Sequence, residues 1–191
     1  MKKILVTLMI LLVVFSLFGQ NLKPQKLKAQ KVKTQKMVNF KLQDLKGKTV
    51  ELKSLLGKGP IVVDFWATWC APCLKELPEL SKLQEKYDDI QVVAISVDKS
   101  RKINQVKKEV KSHHYKFLTL LDKGGIYQKK LNIMNIPQTF LLDRDGNIIY
   151  RHEGYKQGDI KHLEKLIQKQ LPKGGKVKKL MKKSVKTEVT K

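Results

Sequence analysis

Cys70 and Cys73 are the only cysteines in the 191 residues. They stand two residues apart, around Ala71 and Pro72, at the end of the stretch IVVDFWATWCAPC. Two thiols at this spacing suit one reaction in particular: a thiolate attacks a disulfide sulfur, and the second thiol then displaces the product. Zinc fits poorly, because a structural site takes four ligands and His113, His114, His152 and His162 show no ligand spacing relative to the pair. No metal and no cofactor beyond a redox-active Cys70–Cys73 disulfide is therefore expected. A purely structural bridge is also a weak reading, since closing so short a loop removes little unfolded-state entropy.

The thiols need a rigid mount. Ile61, Val62, Val63 and Phe65 form the near-continuous apolar run of a strand buried on both faces, and from Leu74 the apolar spacing becomes helical through Leu77, Leu80, Leu83 and Tyr87. The pair then lies where a strand gives way to a helix N-terminus, whose free N–H groups and dipole favour a thiolate. Cys70, at the helix start, is the expected nucleophile; Cys73, one turn inside, is the expected resolving thiol. Asp64 interrupts the apolar strand. Such a carboxyl is either buried, with its pKa raised by desolvation, or turned to water at a strand end. Glu76, three residues after Cys73, falls on the same side of the helix as the pair, as a proton shuttle or as an ordinary solvated residue. Pro78 inside this helix should kink it.

Other elements follow the same logic. Asn39–Leu45 and Thr49–Leu52 alternate around Lys46-Gly47 as a hairpin. Ile90–Val97 reads as a second buried strand, Ser100 opens a helix with Ile103, Val106 and Val110 on one face, and Phe117–Leu121 reads as a further strand. A short helix around Tyr127–Leu131 precedes Ile136-Pro137; Thr139–Leu142 and Asn147–Tyr150 flank an Asp145-Gly146 turn. Ile160, Leu163, Leu166, Ile167 and Leu171 make a closing amphipathic helix. Alternating strands and helices predict an α/β fold.

DFWATWCAPC, followed by Glu76, Pro78 and the later IPQTFLLDRDG, resembles the thioredoxin superfamily, specifically its TlpA/ResA-like branch of extracytoplasmic thiol–disulfide oxidoreductases. The resemblance covers about Met37 to Leu171. It implies a thioredoxin fold, a central mixed sheet flanked by helices, with an added N-terminal β-hairpin and an inserted helix–strand element. It implies that Asp64 matches a buried aspartate that takes the resolving thiol's proton, a position where this branch often carries Asn, and that Glu76 matches an acidic site residue. It further implies a cis-Pro loop at Pro137 whose Ile136 backbone pairs with a bound peptide. Trp66, Trp69 and Gly154 fall at family positions around the site, with Trp66 also fitting a core role; Trp69, Ala71, Pro72, Ile136, Pro137 and Gly154 would make the substrate-facing surface. Asn135 and Gln138 depart from the Gly and Thr common in the family.

The formal net charge is +23, and its distribution matters. Residues 37–172 hold 24 Lys and Arg against 16 Asp and Glu, a net of +8, while residues 21–36 add +6 and residues 173–191 add +7. Most of the excess lies outside the expected fold, with no basic reading element on it, so nucleic acid is not an expected partner. Residues 1–20 read as a signal peptide or an uncleaved N-terminal anchor: Lys2 and Lys3 precede an apolar stretch of about 15 residues, short of the roughly 20 that span a bilayer. Residues 21–36 read as a Lys/Gln-rich linker with a five-residue repeat, residues 37–172 as the domain, and residues 173–191 as a basic disordered tail. The basic segments fit a solvated spacer or contact with an anionic membrane surface. Export to the periplasm or the outer face of the membrane suits a dithiol protein. The expected function is reduction of protein disulfides, with cytochrome c maturation as one task and a membrane dithiol as electron donor. A disulfide oxidase or isomerase is the alternative, and a membrane-tethered envelope binding module is the reading of another class.

Overall fold

Ile61–Trp66 (β3) is buried at every position and is central to a seven-stranded sheet. A computed structural model of the chain describes residues 35–171; the expected signal or anchor, most of the Lys/Gln-rich linker and the basic tail lie outside the described residues. Around β3 the strands run β2 (Thr49–Glu51), β1 (Lys41–Asp44), β5 (Leu118–Leu121), β4 (Gln91–Ser96), β3, β6 (Gln138–Leu142) and β7 (Ile148–Glu153). β3, β4 and β5 are parallel neighbours, whereas β1, β6 and β7 pair antiparallel with theirs. This is the mixed sheet of a thioredoxin-like α/β fold.

The period of two along β3 divides the core. Ile61, Val63 and Phe65 join Val93, Ile95, Phe140 and Leu142 on one face, together with Phe40 from the chain entering β1 and Leu131 from the segment after α3 (Ile126–Lys130). Val62 and Trp66 face the other way, under Leu77, Leu80 and Leu83 of α1 (Ala71–Lys86), Val106 of α2 (Ile103–Ser112) and Ile160, Leu163 and Ile167 of α4 (Asp159–Gln170). Asp64 lies between Val62 and Trp66, so the pleat directs its carboxyl toward the α1 side of the sheet.

α1 continues through Pro78 to Lys86. Tyr87, expected on the helix's apolar face, lies just past its end in extended backbone and is nonetheless buried. Its hydroxyl donates to Glu164 Oε1 at 2.6 Å and accepts from Gln168 Nε2 at 2.9 Å, tying the end of α1 to α4. The fold also begins earlier than composition suggests. Gln35 and Lys36 are assigned by the sequence to the linker, yet Gln35 O accepts the Ile148 N–H at 2.8 Å and Lys36 bridges Asn147.

Candidate active site

The strand-to-helix junction after β3 places the two thiols as the sequence predicts. Cys70 is the N-cap of α1, with extended backbone at φ −92° and ψ 97°, and Pro72 occupies the first turn, where a missing N–H costs nothing. The Cys73 N–H donates to Cys70 Sγ at 3.3 Å, and the Leu74 N–H to Cys70 O at 3.1 Å. The sulfurs are joined as a disulfide, with Cα atoms 5.2 Å apart. Cys70 is 5% exposed and Cys73 fully buried, so of the two only Cys70 keeps any contact with solvent.

The loop before the cysteines is pinned by a residue the sequence reading overlooked. Asp98, just past β4, accepts the Thr68 N–H at 2.9 Å, the Thr68 hydroxyl at 2.7 Å and the Ser96 hydroxyl at 3.0 Å. Nothing in the spacing of Asp98 to the cysteines distinguishes it; only the adjacency of β3 and β4 brings it under Thr68. Trp69, at the crest of this loop, is 69% exposed. Trp66 belongs to the core.

Across from Cys70 runs the loop before β6. Ile136 O is 3.7 Å from Cys70 Sγ, and the Ile136-Pro137 bond is cis. Pro137 O accepts the Gly154 N–H at 2.8 Å, with Gly154 at φ 82°. The two residues that depart from the family pattern fasten this loop to β7: Asn135 Nδ2 donates to Glu153 Oε1 at 2.8 Å, and Gln138 Nε2 donates to His152 O. Beside the disulfide, Ala71, Pro72, Lys75, Glu79, Tyr155 and Gln157 line a hollow of about 470 Å³. Thus Trp69, Ala71, Pro72, Ile136, Pro137 and Gly154 gather around the thiol pair at the carboxyl end of β3.

Below that surface are two acids. Asp64 is fully buried and Glu76 is 1% exposed, so neither the strand-end nor the solvated-helix alternative describes them. Burial pushes both carboxyls well above the usual carboxylate range, and for Glu76 the Asp64 charge adds to it. They meet at Thr139, the β6 partner of Asp64 in the β3–β6 ladder: Thr139 Oγ1 is 3.0 Å from Glu76 Oε1 and 3.3 Å from Asp64 Oδ1. In the sequence Thr139 is only a lone hydroxyl in an otherwise apolar strand; the β3–β6 register is what sets it opposite Asp64. No group of three or more His, Cys, Asp or Glu among the described residues is arranged to hold a metal.

Comparison with known proteins agrees with this geometry. The Redoxin family profile matches residues 28–167. The thiol–disulfide oxidoreductase ResA of Bacillus thuringiensis subsp. konkukian is 38% identical over 129 residues, covering 68% of this chain and 73% of that protein. The thioredoxin-like protein YneN of Bacillus subtilis is 39% identical over 117 residues, 59% of this chain and 66% of that one. Among solved structures, a proposed thiol:disulfide interchange protein DsbE from Chlorobium tepidum is 30% identical with a TM-score of 0.66, over 71% of this chain and 95% of that one. A proposed protein disulfide isomerase from Bacteroides thetaiotaomicron is 27% identical with a TM-score of 0.65, over 74% and 91%. With the paired Cys70 and Cys73 on a thioredoxin-like sheet, the chain belongs to the Redoxin family and is a ResA-like thiol–disulfide oxidoreductase.

Proposed function

We propose that this oxidoreductase works as a reductase of protein disulfides outside the cytoplasm, in the periplasm or on the outer face of the cytoplasmic membrane. One observation carries the direction of the reading: the Ala71-Pro72 spacer places no His beside the N-cap Cys70, so the reduced form gains no support beyond the helix N-terminus. The buried acids Asp64 and Glu76, the latter one helical turn from Cys73, serve the resolving step. A reductase must deprotonate its resolving thiol inside the protein, and buried carboxyls with raised pKa values are matched to that task. The Cys70 thiolate attacks a substrate sulfur and forms a mixed disulfide. Cys73 passes its proton to the acids and attacks Cys70, and the substrate leaves as a dithiol. The Ala71-Pro72 spacer offers no His to favour the Cys70 thiolate beyond the helix N-terminus, so the oxidised protein is the favoured product.

Trp69, Ala71, Pro72, Ile136, Pro137 and Gly154 form the peptide-binding face, with the Ile136 backbone pairing with an extended substrate as an added strand does. Apocytochrome c maturation is one task such a reductase would serve, with a membrane dithiol protein returning electrons to Cys70–Cys73. The basic segments at 21–36 and 173–191 would hold the enzyme near anionic lipid, each Lys near the surface contributing about 1 kcal/mol.

The test is the redox equilibrium of the purified full chain against a glutathione buffer, with insulin reduction run alongside. A strongly reducing potential with insulin turnover supports the reductase. A markedly oxidising potential without insulin reduction overturns it in favour of a disulfide-forming or isomerising enzyme. No exchange at all, with envelope binding that survives replacement of both cysteines by serine, would make the chain a binding module.

A further inference from the structure

Thr139 has one hydroxyl proton, and two carboxyl oxygens lie within hydrogen-bonding distance of its oxygen. A hydroxyl donates once and accepts through its lone pairs. If Asp64 and Glu76 were both ionised, the Thr139 proton could satisfy only one of them, and the other contact would set an oxygen lone pair against a charged oxygen in a dry site. If one carboxyl is protonated, both contacts become hydrogen bonds: the acid donates to Thr139 Oγ1, and Thr139 donates to the carboxylate. The second oxygens, Asp64 Oδ2 and Glu76 Oε2, are buried without a hydrogen-bond partner among the described residues, so the cluster offers no means to support a second charge.

We propose that Asp64 and Glu76 act as one unit that holds a single shared proton across the Thr139 hydroxyl at neutral pH, with Thr139 as the positioning residue.

The surroundings reinforce this. Glu79 on α1 and Asp159 at the start of α4 both disfavour charge on Glu76. Asp159 is tied to His152 Nε2 at 2.9 Å, and the phenols of Tyr150 and Tyr155 complete the ionisable groups that sense the site. Burial raises both carboxyls, which agrees with a pair that titrates in two separated steps.

The arrangement gives the exchange reaction a proton store. When Cys73 resolves a mixed disulfide, its S–H bond breaks and the proton goes to the carboxylate of the pair, taking the unit from one negative charge to none. The Cys73 sulfur forms its bond to Cys70 Sγ as the Cys70–substrate bond breaks. Two electrons leave on the substrate thiolate, which takes a proton from solvent, and the pair later releases its own. The steps run equally well in reverse, so the inference does not depend on the protein being a reductase.

The experiment is a carboxyl-carbon NMR titration of the oxidised full chain, in which the thiols are silent, from about pH 4 to about pH 10. Wild type should show Asp64 and Glu76 responding together in two steps, one on each side of neutrality. Glu76→Gln, neutral at that position, should abolish the upper step and leave Asp64 a single step close to the lower one. Asp64→Asn should leave Glu76 a single step below the wild-type upper one, because the Asp64 charge that raises it is gone. Thr139→Val, which removes the donor to the carboxylate, should raise the lower step by about one unit, and Thr139→Ser should restore it. In the reduced enzyme, Thr139→Val should slow resolution of a mixed disulfide at least about tenfold and shift its pH profile. Independent titrations, with the upper step unmoved by Asp64→Asn, would overturn the proposal, as would a lower step unmoved in a folded Thr139→Val. If Thr139→Val does not fold, the Glu76→Gln and Asp64→Asn titrations decide alone.

Discussion

Cys70 Sγ and Ile136 O face each other at 3.7 Å, so a peptide strand that pairs with the Ile136 backbone brings its own sulfur to the exposed edge of the disulfide. The proposed mechanism accordingly assigns the attack to Cys70 and the second step to the buried Cys73. Cys73→Ser is expected to accumulate a stable mixed disulfide with a disulfide substrate, seen as a mass increase that a reductant removes. Cys70→Ser should form none, and both variants should lose multiple-turnover exchange. A trapped adduct on Cys73 instead would reverse the two roles.

Burial of Asp64 makes its stability contribution depend on pH with a definite sign. Its folded pKa is raised above the unfolded value, so the folded chain binds more protons than the unfolded chain between the two. Stability from this group is fully present below about pH 4 and is lost as pH rises through the raised value. Asp64→Asn carries no such charge. Its stability relative to wild type should improve by roughly 2–4 kcal/mol between pH 4 and pH 8, measured by urea unfolding at each pH. A stability difference that stays constant over that range would contradict the burial argument.

Gly154 holds the left-handed backbone, φ 82°, from which its N–H reaches Pro137 O. A Cβ there would meet nothing within 4 Å, so the cost of Gly154→Ala is conformational, roughly 1 kcal/mol. A lowered thermal midpoint is expected, and Asn should be tolerated better than Ala because it enters this region more readily. Exchange should weaken along with stability as the Pro137 loop loses its anchor.

Gly59 presents the opposite case. A Cβ there would lie 1.9 Å from the backbone oxygen of Asp89, a clash with main chain that no side-chain rotation relieves. Gly59→Ala should destabilise by at least about 1–3 kcal/mol in denaturant unfolding. Because Gly59 precedes the end of β3 opposite the cysteines, exchange per folded molecule should be nearly unchanged.

Much of this molecule is readable along the chain because its controlling interactions are local. The apolar run Ile61–Phe65, the helical spacing from Leu74 and the Cys-Ala-Pro-Cys junction identify a buried strand, a helix and an N-cap thiol, since each depends on residues within a turn or two of one another. The departures at Asn135 and Gln138 are also visible in the sequence, but their purpose is not: both reach across to β7, more than ten residues on.

What tertiary structure alone decided is which distant groups share a dry space. Asp64 and Glu76 each admit a bland reading in the sequence, an acid at a strand end and an acid on a helix surface. The register of β3 against β6 puts Thr139 beside Asp64, and the packing of α1 on that face lowers Glu76 onto the same hydroxyl. The same kind of long-range pairing, β3 beside β4, brings Asp98 under the cysteine loop. Charge burial is a property of the assembled sheet and helix. The sequence by itself therefore determined the thiol chemistry, and the fold, through long-range register and packing, decided which buried carboxyls share a hydroxyl.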